Sequence, residues 1–197
     1  MRRIYLARHG ETEWNALGRL QGHTDVPLND AGRAQARALG ALLANEGLAS
    51  VTSSDLARAR ETGALAALAA RAAVPSAVDP DLRERRFGVF EGLTRDECAT
   101  QHAEHWRAWV ESTTPPPGAE PVDLAVARMD RALSRAVVRA TDGPALVVSH
   151  GGIMRLWLAA AAGGGADARA LVPPIANGAV YLLEHDGERF HTGPWEA

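Results

Sequence analysis

Arg8 and His9, in Leu6-Ala7-Arg8-His9-Gly10-Glu11-Thr12, directly follow an apolar run, where a packed core would gain nothing from either. A second histidine follows another such run in Ser149-His150-Gly151-Gly152, and Arg58 comes after a third in Ser53-Ser54-Asp55-Leu56-Ala57-Arg58. Two guanidinium forks beside two imidazoles suit an anion with several oxygens, and phosphate matches paired arginine hydrogen bonds. Cations crowded around an imidazole disfavour its protonated form, leaving a ring nitrogen free to attack phosphorus. Phosphoryl transfer then needs in-line positioning, neutralised equatorial oxygens and a proton for the leaving alkoxide. Glu84, in Leu82-Arg83-Glu84-Arg85-Arg86-Phe87-Gly88, is the candidate acid; Glu91, in Phe90-Glu91-Gly92, is its rival.

For these residues to converge, they must stand beyond the carboxyl ends of strands in an open α/β sheet, where ligands bind. Arg3 to Ala7, Leu48 to Ser53 and Ala145 to Ser149 read as buried strands, each followed by a helical pattern. Asn29 is placed to cap a helix with Leu39, Leu42 and Leu43 on one face, ended by Gly47 as a C′ glycine. Ser54 or Asp55 is placed to cap the next helix, which carries Leu56, Leu65 and Leu68. From Pro121 to Ala140, Val122, Val126, Met129, Leu133, Val137 and Ala140 recur at three- and four-residue steps as one core-facing stripe. Beyond the Gly163-Gly164-Gly165 loop, Gly178 to Leu183 and Arg189 to Thr192 flank an Asp186-Gly187 hairpin turn. A mostly parallel sheet with an antiparallel C-terminal end follows. Thr94 to Gly118, with Trp106, Trp109 and a stiff proline connector, reads as a short lid or insertion over one end of that sheet.

The 197 residues, 46% hydrophobic, fit a single domain, 1–197, around one core. A net charge of −3 without basic blocks predicts no nucleic-acid partner. Cys98 stands alone, so no intrachain disulfide and no cysteine metal cluster can form, and a reducing, cytoplasmic setting is expected. The apolar run Leu156 to Ala162 is far shorter than the ~20 residues of a membrane span. His102, Glu104 and His105 lack metal-motif spacing and a third ligand, so neither metal nor other cofactor is expected. His23, His185 and His191 read as surface or loop residues, with His23 near the proposed pocket. Arg85 and Arg86 read equally as solvated charges or as contacts to an acidic substrate. Trp106 and Trp109 serve as packing or as a substrate platform. A homodimer is the default assembly.

Taken together, the ordered set resembles the histidine phosphatase superfamily, the phosphoglycerate-mutase-like fold, and its phosphatase branch in particular. It comprises Arg8-His9-Gly10-Glu11-Thr12 with Asn15, Gly18-Arg19-Leu20-Gln21-Gly22, the Arg58 segment with Thr62, Leu82-Arg83-Glu84 with Glu91-Gly92, and Ser149-His150-Gly151-Gly152. The resemblance implies a three-layer α/β/α sandwich and metal-independent hydrolysis of a small phosphomonoester. It implies that His9 is phosphorylated on Nε2, that Arg8, Arg58 and His150 hold the phosphoryl group, that Asn15 adds a hydrogen bond, and that Glu84 gives the proton. It further implies a cradle completed near Gln21, Gly22 and Gly151, with Gly10 accepting from His9 Nδ1. Mutases of the family usually carry a longer basic insertion, Arg-His-Tyr after the acid and Gly-Asn after the second histidine. Here the insertion is short, Arg85-Arg86-Phe87 follows the acid and Gly151-Gly152 follows His150. These departures favour hydrolysis over isomerisation. Pro117-Gly118-Ala119-Glu120 partly matches a segment of the phosphatase branch, α-ribazole phosphatases included. The alternatives are mutase-type phosphoryl transfer, α-ribazole phosphate hydrolysis, and a regulatory module that binds phosphate without turnover.

Overall fold

The structure, a computed structural model, describes residues 1–111, 114–164 and 172–193. Along the chain run β1 (Arg2–Arg8), α1 (Glu13–Ala16), α2 (Asp30–Leu42), β2 (Ser50–Ser53), α3 (Ala57–Ala69), β3 (Ser76–Val78), α4 (Arg95–Gln101) and α5 (Ala103–Val110). Then come α6 (Val122–Arg139), β4 (Ala145–Ser149), α7 (Gly151–Ala161), β5 (Val180–His185) and β6 (Phe190–Gly193). The strands form one sheet in the order β3-β2-β4-β1-β5-β6. Its first four strands are parallel, while β5 runs antiparallel to β1, and β6 to β5.

Side chains alternate across β1, so consecutive residues serve opposite layers. Ile4 and Leu6 pack with the α6 and α7 side through Met129, Leu133, Ile153 and Trp157. Tyr5 and Ala7 pack with the α2 and α3 side through Leu39, Leu43, Ala59 and Ala66. These are the three expected layers, and β4, buried at every position, fits a parallel strand covered on both faces. Register sets the site: β1 and β4 are adjacent and parallel, with Arg8 opposite Ser149. Residues 9 and 150 therefore leave the same sheet edge side by side.

Several expectations need correction. α2 ends at Leu42, capped at Leu43, and the chain takes further turns before Gly47, whose φ of 66° serves the bend into β2 rather than a C′ cap. Leu42 is exposed, as are Leu68 of α3 and Val122 at the start of α6. α3 buries Arg58, Ala59, Thr62, Gly63 and Ala66 instead; small residues, not leucines, face its neighbours. Neither Ser54 nor Asp55 caps α3 at its N-cap residue Leu56. Asp55 is drawn into an ion pair with Arg83, and Asp25 accepts from the Ala57 N–H at 2.7 Å in its place. Thr113 of the proline connector and Gly165 of the glycine run lie outside the described residues. No helix among the described residues is long and apolar enough to cross a membrane.

Candidate active site

At the carboxyl end of β1 and β4 lies a cavity of about 230 Å³ whose wall includes Arg8, His9, Asn15, Gln21, Arg58, Glu84 and Gly151. His9 enters straight from β1 and is 3% exposed. Its Nδ1 stands 2.6 Å from the Gly10 carbonyl oxygen. Because a carbonyl only accepts, Nδ1 carries the proton and Nε2 keeps its lone pair. Gly10 can lie this close to α2 only without a side chain: a Cβ there would meet the Gly32 oxygen at 2.3 Å. The turn is further tied by the Gly10 N–H donating to Thr62 Oγ1 at 3.0 Å and by Asn177 Nδ2 donating to the His9 carbonyl at 3.1 Å. Burial, then the charges of Arg58 and Arg8, hold the His9 imidazole well below its ordinary pKa, against the opposing pull of Gly10. Nε2 is thus kept unprotonated near neutral pH.

Arg58 projects from the first turn of α3 and is fully buried. Its Nη atoms donate to the Thr24 carbonyl at 2.7 Å and the Gly22 carbonyl at 2.9 Å, and its Nε donates to His150 Nδ1 at 3.2 Å. Burial lowers Arg58 to about 10, so it stays cationic at neutral pH. Since His150 Nδ1 accepts, the neutral ring carries its proton on Nε2. Burial first, then Arg58, His9 and Arg8, hold His150 well below its ordinary range. The two imidazole rings meet edge to face at 4.9 Å. Arg8 donates through Nη1 to the Ile175 carbonyl at 2.6 Å. Its Nε, Gln21 Oε1 and His150 Nε2 are buried without a hydrogen-bond partner among the described residues. Asn15 has Oδ1 committed to the Thr12 backbone N–H and hydroxyl and to Asn177, which leaves its amide NH2 for the cavity.

Glu84 rests on the N-terminus of α7. Its Oε1 accepts from the Arg85 N–H at 2.8 Å and the Ile153 N–H at 2.7 Å; Oε2 accepts from the Gly152 N–H at 2.8 Å. Gly152 makes this approach feasible, because a Cβ there would stand 2.7 Å from Oε1. The rival Glu91 is not in the wall; it accepts from the Phe87 N–H at 3.0 Å and lies against Gly22.

Not every predicted residue reaches the cavity. Gly22 stands behind the lining and holds Arg58, whereas His150 packs edge to face against the lining residue His9 with its Nε2 buried and without a partner among the described residues. His23 sits behind the acid, its Nε2 donating to the Glu84 carbonyl at 2.8 Å while Nδ1 accepts from exposed Arg86. Of the two ambiguous arginines only Arg85 lines the cavity, with Nε donating to the Glu120 carbonyl at 2.7 Å. Trp109 joins Phe87 in the wall, whereas Trp106 packs on Phe90 and Trp109.

Two contributors were absent from the sequence reading as site residues. Asn177 braces both His9 and Asn15. Arg128 of α6 donates to the carbonyls of Asp81 at 2.7 Å, Arg83 at 2.6 Å and Glu84 at 3.0 Å, and pairs through Nε and Nη2 with Glu120 at 2.7 and 2.8 Å. Burial alone would raise Glu120, but Arg128 outweighs it and keeps the carboxylate below its usual range. The only sequence hint was Arg128 interrupting the apolar side of α6.

The model of the histidine phosphatase superfamily, branch 1, matches residues 4–196. Phosphoglycerate mutase-like protein 4 of Arabidopsis thaliana is 40% identical over 156 residues, covering 77% of this chain and 67% of that protein. The metal-independent phosphoserine phosphatase of the same plant is 37% identical over 157 residues, 77% of this chain and 65% of that one. The solved mycobacterial glucosyl-3-phosphoglycerate phosphatase complexed with VO3 superposes with a TM-score of 0.86 at 29% identity, over 100% of both chains.

Proposed function

The chain belongs to the histidine phosphatase superfamily, and from that membership we propose that it hydrolyses a small phosphomonoester through a covalent phosphohistidine at His9, without a metal. One observation carries this reading: the Nε2 lone pair of a buried, neutral His9 sits among arginines, with Arg8 Nε and His150 Nε2 buried and unpartnered among the described residues. Leaving such groups unsatisfied costs about 1–3 kcal/mol each. A phosphoryl group supplies the acceptors they lack.

In the first half-reaction His9 Nε2 attacks phosphorus in line, the bond from phosphorus to the substrate oxygen breaks, and the proton on Glu84 passes to that oxygen. Oε2 takes one amide bond against two on Oε1, so it is the oxygen with room for the proton. Arg8, Arg58 and the His150 Nε2–H share the charge of the equatorial oxygens, and Asn15, Gln21 and the Gly151 N–H at the start of α7 complete the cradle. In the second half water attacks phosphorus, Glu84 takes its proton, the phosphorus–nitrogen bond breaks, and phosphate leaves with His9 neutral again. The relatives named as phosphoserine and glucosyl-3-phosphoglycerate phosphatases support hydrolysis.

The test is para-nitrophenyl phosphate turnover in excess chelator, by the unmodified protein and by His9→Ala and Glu84→Ala. Chelator-resistant release of phosphate, abolished in His9→Ala, is expected. No release by the unmodified protein, or release undiminished in His9→Ala, would overturn the reading. Interconversion of 3- and 2-phosphoglycerate outrunning hydrolysis, with a bisphosphorylated primer present, would replace it with a mutase.

A further inference from the structure

We propose that Asn177 is a positioning residue of the phosphoryl site, which couples the backbone of His9 to the Asn15 amide so that the nucleophile and that donor are held as one unit. The inference rests on the phosphohydrolase reading and extends it to a side chain that stands behind the cavity wall. Asn177 lies in the loop leading into β5, in a turn closed by the Ala179 N–H donating to the Ala176 carbonyl at 3.2 Å. Gly178, third in that turn, has the positive φ of 76° that a type II turn requires there. The turn folds the loop back along the end of β1. Its Gly178 N–H is shared between the Arg8 carbonyl at 3.2 Å and the His9 carbonyl at 3.3 Å, and the Arg8 N–H donates to the Ala179 carbonyl at 2.9 Å. Two residues before Asn177, the Ile175 carbonyl accepts from Arg8 Nη1.

Hydrogen-bond polarity gives Asn177 its role. The His9 carbonyl only accepts, so the Asn177 atom 3.1 Å from it is the NH2 nitrogen. That nitrogen has a second hydrogen, and Asn15 Oδ1 lies 3.2 Å away to receive it. The same oxygen takes the Thr12 backbone N–H at 3.1 Å and the Thr12 hydroxyl at 3.0 Å. Thr12 is the N-cap of α1, so these two bonds hold Asn15 to its own helix. Asn177 adds the bond that references Asn15 to the end of β1, where His9 leaves the sheet. With its oxygen gripped from both sides, Asn15 turns its NH2 to the phosphoryl oxygens at a fixed distance from His9 Nε2. In-line attack depends on such fixed distances, and a displacement of about 1 Å can cost about 10²-fold.

The experiment is a double-mutant cycle read by calorimetric binding of inorganic phosphate to the unmodified protein, Asn177→Ala, Asn15→Ala and the double variant. Asn177→Ala is expected to weaken phosphate about tenfold or more, the size of one hydrogen bond to a charged group. In the Asn15→Ala background the same change is expected to cost less than about twofold, because the amide that Asn177 positions is gone. A residue that merely supports the fold would weaken phosphate equally in both backgrounds. Equal losses in the two backgrounds, or a loss below about threefold in the first, would overturn the proposal. Should Asn177→Ala lose its cooperative urea transition, Asn177→Leu, similar in shape and without a donor, runs the same cycle against the same limits. Phosphate binding needs no turnover, so the two readings separate. Coupled losses in a protein that hydrolyses no ester would sink the phosphatase reading while upholding Asn177; uncoupled losses with hydrolysis intact would do the reverse. No binding of phosphate by the unmodified protein would overturn both.

Discussion

Residue by residue, the site depends on protons held in particular places. The Gly10 carbonyl fixes the His9 proton on Nδ1, and Arg58 fixes the His150 proton on Nε2. Both rings are held neutral well below pH 6.5 by burial and by Arg58. Nitrogen-detected NMR should therefore show two histidines of opposite tautomer whose shifts stay constant as the pH falls from 8 through the ordinary histidine range near 6.5. Two rings titrating near 6.5 would contradict the electrostatics. Gly152→Ala tests the acid in the same spirit, since the added carbon would stand 2.7 Å from Glu84 Oε1. Displacing a general acid should cost about 10²–10⁴ in kcat, most for esters with poor leaving groups. A variant as fast as the unmodified protein on an alkyl phosphate would argue against Glu84. Arg8, His9, Arg58 and His150 were legible because each follows a recognisable apolar strand. Gly22 was misplaced into the lining because spacing tells which loop a residue occupies, not whether it faces the cavity or backs it.

At the scale of elements, the acid loop is held by a helix remote in sequence. Arg128 ties three carbonyls of residues 81–84 to α6 and closes a near-buried ion pair with Glu120. Removing one partner strands the other, so Arg128→Ala should lower unfolding free energy by roughly 3–5 kcal/mol, read from urea melts. It should also slow alkyl phosphates more than para-nitrophenyl phosphate, whose leaving group needs little protonation. A uniform loss on both would mean that Arg128 supports the fold without positioning Glu84. No local pattern announces such a contact, since its two ends lie 44 residues apart for Glu84. Helix faces were read unevenly for a related reason. α6 carries large apolar residues at regular steps, and Met129, Leu133 and Val137 are buried as expected. In alanine-rich α3 the few leucines drew attention, yet Leu68 is 77% exposed because close packing there favours Ala59, Gly63 and Ala66.

At the scale of the whole molecule, burying two neutral imidazoles makes stability depend on pH. Their folded pKa values lie below the unfolded value of about 6.5, so below that pH the unfolded chain takes up protons that the folded one refuses. Stability is therefore full above about pH 6.5 and falls on acidification, by up to about 1.4 kcal/mol per pH unit for each ring until its folded pKa is reached. Asp55, held low chiefly by its hydrogen bond to Arg83, adds a further loss only below about pH 4. Urea melts at pH 7.5 and 5.5 should differ in midpoint accordingly, and a flat profile across that interval would contradict the burial of the two rings. The mostly parallel sheet and its antiparallel end were readable from strand composition and the Asp186-Gly187 turn; the strand order, and with it the pairing of β1 with β4 that joins the two histidines, depends on register across about 140 residues and on nothing local.

A covalent bond between His9 Nε2 and phosphorus would be caught by rapid acid-free quenching of a single turnover followed by peptide mass spectrometry. An alkali-stable, acid-labile phosphoryl group is expected on the peptide containing His9, formed no slower than phosphate release and absent in His9→Ala. Phosphate released with no adduct at any quench time, or an adduct on His150 with His9 unmodified, would contradict it.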